Sequence, residues 1–311
     1  MTGLELSRAY WEQVAAPELQ AAFPAMFPRV AAGLVGNGSE CFGYDDELSR
    51  DHDWGVDFFL WVLEEDRASI PALSQWKQAL MSRRPPEFPR VRSRYGGSVD
   101  VMTVGGFYRS LIGTPGVPED MLQWRQAPEG NFAMAVNGAV FQDPPGQFSA
   151  VRRGLLDYYP EDLRRKKIAA RCIALAQTGQ YNFTRIARRK DWVTSQIVLT
   201  KFTHEAMGLV YHLNRVFRPY YKWTWRRLGE LPILGREAAD LLLELAQIQG
   251  WEASALERRQ QKIDKLCSAL AAELRRQGLS RTEDDFLAVH GEEVQRSIRH
   301  EWLRSLPAVY E

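Results

Sequence analysis

The chain has 311 residues, 45% hydrophobic and 25% charged, with a formal net charge of +1. That is the composition of an ordinary soluble globular protein with room for about two domains, and the charge total alone points to neither nucleic acid nor membrane. Three widely spaced cysteines (Cys41, Cys172 and Cys267) speak against a disulfide framework or a zinc cluster and fit a reducing cytoplasm; the first residues lack a signal-peptide pattern, and no apolar run approaches the ~18 residues of a membrane span.

In chain order, VAAGLV (residues 30–35) is expected as a buried strand ending in a Gly-Asn-Gly-Ser turn. Residues 54–62, rich in aromatic and β-branched side chains, are expected as a second strand. Residues 68–82 carry Ile70, Leu73, Trp76 and Leu80 on one side of a helix, which Arg83-Arg84-Pro85-Pro86 then breaks. SVDVMTV (residues 98–104) alternates as a third strand, and residues 111–145 are a Gly- and Pro-rich connection. Beyond about Val151 strand signals fade. Residues 161–177, 192–216, 236–249, 254–277 and 283–306 repeat apolar residues at three and four, as helices do. The expected fold class is α+β: a small mixed sheet with helices over residues 1–150, then an all-helical domain over 151–311.

Charge is unevenly spread. Residues 40–66 hold ten acids and one base, and residues 161–190 hold nine bases and two acids. Together such stretches suit metal ions and a polyphosphate. Within GNGSECFGYDDELSRDHDWGVDFFL (residues 36–60), a Gly-Ser pair follows the first strand, and eleven residues separate Ser39 from Asp51. Asp51 and Asp53 stand at period two just before a hydrophobic strand, a spacing that points both side chains to the same face. Asp100 lies in the apolar run Val99-Asp100-Val101, where a charge is rare unless paired or metal-bound. Three converging carboxylates suit two hard divalent cations, Mg²⁺ or else Mn²⁺, ~3.5–4 Å apart, which serve in-line displacement at phosphorus. Gly38 permits close backbone approach to phosphate, and Ser39 donates to its oxygens.

Gly-Ser, a dozen residues, Asp-x-Asp and a later Asp between apolar residues resembles the DNA polymerase β-type nucleotidyltransferase superfamily. The order of domains looks like its small bacterial members, the kanamycin, streptomycin and lincosamide nucleotidyltransferases. The string GSECFGYDDELSRDHDWG looks closer still to a bacterial group of unknown function in that superfamily. So do VNGAVFQD (136–143), YYPEDLRRKKIA (158–169), GQYNFTRIARR (179–189) and RPYYKWTWRRL (218–228), so the resemblance spans roughly residues 25–235. It implies a catalytic domain over 1–150 and a helical nucleotide- or acceptor-binding domain over 151–311. It also implies phosphate contact by Gly38 and Ser39, metal binding by Asp51, Asp53 and Asp100, and proton acceptance by Asp100. His52 departs from the pattern, being polar where the family is commonly apolar.

The implied activity is metal-dependent transfer of a nucleoside monophosphate from a nucleoside triphosphate, such as ATP, to a hydroxyl of a small molecule. A protein- or RNA-modifying transferase and a non-catalytic binding module are the alternatives. The first predicts steep salt dependence; the intact carboxylates argue against the second. No membrane partner is expected. Lys222 and Arg226, in a segment where cations alternate with aromatics, are candidates for the β- and γ-phosphates. Arg164-Arg165-Lys166-Lys167 is expected as a solvated helical face, and Arg185 to Lys190 similarly. His52-Asp53 as a phosphohydrolase dyad lacks upstream histidines, and His204 and His212 are expected as core or surface residues.

Overall fold

Two compact units, Met1–Asp157 and Tyr158–Glu311, make up the computed structural model, which describes residues 1–51, 53–91 and 100–311. The first opens with helices α1 (Gly3–Tyr10) and α2 (Ala16–Ala22), joined through a π-helical turn, Trp11–Ala15. Then come β1 (Val30–Leu34), α3 (Ser39–Phe42), β2 (Trp54–Gly55), β3 (Phe59–Val62) and α4 (Ile70–Ser82). They are followed by β4 (Arg90–Val91), β5 (Val101–Thr103), α5 (Val104–Ile112), α6 (Met121–Gln126), α7 (Glu129–Val136), β6 (Ala139–Gln142) and α8 (Gln147–Leu156).

The main sheet has the order β5-β3-β1-β6. β1 runs antiparallel to β3 and to β6, while β3 and β5 are parallel with α4 in the crossover. Alternation along β3 sets the layers. Leu60 and Val62 join Val30 and Ala32 in a core closed by Leu6, Tyr10 and Trp11 and by Leu73 and Leu80 of α4. Phe59 and Trp61 face the other way, where Phe107 meets both rings and Phe148 of α8 stacks on Trp61 with centroids 3.8 Å apart. The fold class is therefore α+β, with a small mixed sheet followed by helices.

Three expected elements of the first unit differ in form. The strand expected over residues 54–62 is two: Gly55 takes φ +103° and Asp57 turns into the core, so β2 leaves to pair with β4 before β3 begins. The expected helix over 68–82 starts at Ile70, after a 3-10 turn over Glu64–Ser69, with Pro71 in its first turn. The connection over 111–145 contains β6, which takes its place in the sheet by pairing with β1. Of the third strand, Ser98 and Val99 lie outside the described residues.

The second unit contains α9 (Glu161–Leu175), α10 (Phe183–Arg188), α11 (Trp192–Asn214), α12 (Tyr221–Leu228), α13 (Gly235–Gln247), α14 (Ala253–Arg276), α15 (Leu287–Arg296) and α16 (Glu301–Ser305). Ile168 and Cys172 of α9, Phe202 and Leu209 of α11, Leu242 of α13 and Leu270 of α14 share one core. The helix expected over 283–306 is broken: Asp162 accepts hydrogen bonds from the Arg299 and His300 backbone N–H groups (3.3 and 2.7 Å), which capture the chain between α15 and α16. Among the described residues no helix is long and apolar enough to cross a membrane.

Candidate active site

Strand direction alone gathers the sequence-predicted segments of the first unit. β1 ends at Leu34 beside the start of β3, since Gly33 pairs with Phe59. β5 runs with β3, Leu60 pairing with Val101, so Asp100 stands at that same end of the sheet. β6 starts there too, with Ala139 opposite Leu34. The Gly-Ser turn after β1, the acidic segment leading to β3, Asp100 before β5 and the Asn137-Gly138 pair before β6 therefore share one end of one sheet.

The turn is held in a single shape. Gly38 lies at φ +115° and ψ +150°, backbone space open essentially to glycine alone. Asn137 grips Gly36 from across the sheet: its Oδ1 accepts from the Gly36 N–H (2.8 Å) and its Nδ2 donates to the Gly36 carbonyl (2.7 Å). The Gly138 N–H donates to the Cys41 carbonyl at 2.7 Å. Ser39, half-buried, begins the single turn of α3. Buried Glu40 then ties the turn to the acidic segment, its Oε1 accepting from the Gly55 N–H at 2.6 Å.

Asp51 closes a 3-10 turn over Leu48–Asp51 and is exposed; Asp53 is half-buried at φ +48°. The extended backbone that would direct both carboxylates to one face is thus absent at these two residues, because β2 starts only at Trp54. Asp100 is exposed, and its Oδ1 accepts from the Val101 N–H at 2.9 Å. Among the described residues no group of three or more His, Cys, Asp or Glu is arranged to hold a metal ion. Among the described residues, Asp51, Asp53 and Asp100 share an end of the sheet without forming a preassembled ion cage. His52 lies outside the described residues.

The other acids of this region serve the fold. Asp45 Oδ2 accepts from the Gly3 N–H (2.8 Å) and the Trp54 indole N–H (2.9 Å), and Asp46 Oδ1 accepts from the Ser49 N–H (3.0 Å). Asp57, 1% exposed, pairs with Lys77 of α4 at 3.0 Å and with Arg90 of β4. Burial pulls the Lys77 ammonium below the ordinary lysine range, against the raising effect of Asp57. Sequence reasoning missed this ion triad and the Asn137 grip. Asn-Gly ahead of a short apolar run was the signal for the grip; a triad drawn from three separate elements leaves no local signal.

In the second unit, Lys222 and Arg226 are exposed on α12, one turn apart, 5.1 and 5.9 Å from the ring of buried Trp223. Tyr221 and Trp225 beside them are exposed, so α12 presents cations and aromatic rings together. The run Arg164 to Lys167 is not a solvated face. Arg164 is 2% exposed, donating to the His212 carbonyl (2.8 Å) and to Gln277 Oε1 (2.6 Å). Lys166 is fully buried, donating to Gln295 Oε1 (3.1 Å) and the Pro307 carbonyl (2.6 Å). Arg185, Arg188, Arg189 and Lys190 are exposed. His212 is buried and its Nδ1 meets the Tyr158 hydroxyl at 2.8 Å. Burial first, then the charges of Arg171, Lys167, Arg218 and Arg164, hold its imidazole well below the usual histidine range. His204 is exposed.

A family model described as a domain of unknown function, DUF4037, matches residues 124–224. No curated protein matches the chain. Among solved structures, the chain is similar to a nucleotidyltransferase-like protein from Exiguobacterium sibiricum 255-15, at 12% identity and a TM-score of 0.36, over 92% of this chain and 90% of that one.

Proposed function

We propose that this chain is a nucleotidyltransferase that moves a nucleoside monophosphate from a nucleoside triphosphate to a hydroxyl of a small acceptor. The observation that supports this is the common position of the Gly-Ser turn, the Asp51/Asp53 segment and Asp100 at one end of the sheet. In the proposed reaction the acceptor oxygen attacks the α-phosphorus and a new P–O bond forms. The bridging P–O bond to the β-phosphate breaks, and pyrophosphate leaves. Asp100, exposed at the start of β5, receives the proton. Ser39 and the backbone around Gly38 donate to phosphate oxygens, and the turn does so without reorganising because Asn137 already fixes it. Lys222 and Arg226 of the second unit are proposed as nucleotide-binding cations. Mg²⁺, with Mn²⁺ as substitute, is proposed to accompany the triphosphate and neutralise its charge, with Asp51, Asp53 and Asp100 as the carboxylates available to it.

The test is incubation of the protein with each labelled nucleoside triphosphate, Mg²⁺ and a cell extract, followed by identification of whatever becomes labelled. Asp100→Asn keeps the shape of the side chain and removes the proton acceptor, so labelling should slow by ~10²–10⁴-fold while nucleotide still binds. Full activity in that variant would remove Asp100 from the mechanism. Labelling that persists in an Asp51→Asn, Asp53→Asn double variant would refute the assignment.

A further inference from the structure

Between α4 and the start of β5, the first unit holds a cavity of about 530 Å³, with Asp100 in its wall. This volume is in the range of small-molecule sites, roughly 300–1,000 Å³. β5 is an edge strand of the sheet, two positions from β1 in the order β5-β3-β1-β6. Strands lie ~4.8 Å apart, so Asp100 and the cavity are displaced by about 10 Å from the strand that ends in the Gly-Ser turn. A molecule in the cavity would meet the proposed proton acceptor while leaving the turn to phosphate.

The chemistry of the wall is cationic. Lys77, Arg84 and Arg90 all line it. Lys77 and Arg90 share Asp57 behind them. Arg84 spends its donors on backbone carbonyls, of Phe88 and Met81 at 3.1 Å each and of Arg90 at 3.5 Å. Those bonds fix its guanidinium and leave the positive charge uncompensated, since among the described residues no carboxylate pairs with it. Among the described residues, three cations against Asp57 and Asp100 leave a net positive field, which favours an anion and opposes a polyamine.

We propose that this cavity binds the acceptor, and that the acceptor is a small hydroxyl compound bearing a phosphate or carboxylate group. This rests on the nucleotidyltransferase reading above. The acceptor's anionic end would lie among Lys77, Arg84 and Arg90, with its hydroxyl toward Asp100. The same wall rejects polycationic acceptors of the aminoglycoside kind.

The experiment is calorimetric titration of the full chain, without nucleotide, against millimolar glycerol 3-phosphate, glycerate, glycerol and kanamycin. One or both anions should bind, the two arms telling phosphate from carboxylate, and glycerol and kanamycin should not. Ser74 and Gln78 line the cavity one turn apart on α4, and neither is buried. Ser74→Glu and Gln78→Glu place an acid in the wall in good helix-forming variants, and each should weaken anion binding at least tenfold. Absence of binding by both anions, tighter binding of kanamycin, or unchanged affinity in both Glu variants would overturn the proposal. Titration with Mg²⁺ and ATP is run separately. Nucleotide transfer without anion binding defeats this inference alone; anion binding without any nucleotide binding or transfer defeats the reading it rests on.

Discussion

Asp57→Asn is the sharpest test of how the first unit positions its site. The substitution keeps the side-chain shape and removes the anion that faces Lys77 and Arg90. Lys77 is 5% exposed and Asp57 1%, so water cannot replace the lost charge, and two cations then face each other. Removing one partner of a buried ion pair costs about 3–5 kcal/mol, a large share of the ~5–15 kcal/mol that holds a domain together. With a urea dependence of ~1–3 kcal/mol/M, the unfolding midpoint should fall by roughly 1–5 M.

The pH dependence carries the same logic. The folded-state pKa of Lys77 is lowered, first by burial and then by Arg90, while Asp57 raises it. Between that lowered value and the ordinary ~10.4 of an unfolded lysine, the unfolded chain binds more protons, so stability rises with pH. Without Asp57 the raising influence is gone and the window widens toward neutrality. Asp57→Asn should therefore regain stability between pH 7 and 9.5 more steeply than the parent chain. Adding Lys77→Met should restore much of the loss at pH 7, because the uncompensated buried ammonium goes with it. Urea denaturation at both pH values measures all of this. A midpoint unchanged by Asp57→Asn, or a stability flat across that range, would refute the reasoning.

Other outcomes follow from the site. Asn137→Ala removes both hydrogen bonds to Gly36 and should cost about 1–3 kcal/mol of stability, with weaker nucleotide binding, read by urea denaturation and by titration with ATP. Asp51→Asn and Asp53→Asn should each raise the Mg²⁺ concentration needed for half-maximal labelling, and an unchanged Mg²⁺ dependence would exclude them as ligands. Lys222→Ala or Arg226→Ala should weaken ATP binding about tenfold or more, since a charge-assisted contact is worth ~1.5–3 kcal/mol; affinity unchanged in both returns α12 to a purely structural role.

Local pattern made much of this fold readable. β1 is a continuous apolar run bounded by glycine, and α9, α11, α13 and α14 repeat their apolar residues with helical period, so these elements appear within a few residues of where they are expected. The Gly-Ser turn was legible because its backbone demands glycine at position 38. What stayed hidden depends on distant partners. Ala139–Gln142 is four residues of modest strand character and becomes a strand only by pairing with β1. Arg164 and Lys166 look like surface charges until α11, the residue that ends α14 and the residues after α16 supply their acceptors. Asp57 stood among ten acids, and nothing in that run told the one inside the core from those at the surface.

The grip of Asn137 on Gly36 spans 101 residues of chain. On a ribosome that adds ~5–20 residues each second, the turn after β1 waits roughly 5–20 s for the side chain that fixes it. Through that interval β1 has β3 on one side and an open edge on the other, because β6 is made last of the sheet's strands. Such an edge is a template for pairing with other chains. Maturation of the Gly-Ser turn is thus a late event in synthesis, and slowing translation between β5 and β6 should lengthen the period in which the nascent chain needs a chaperone.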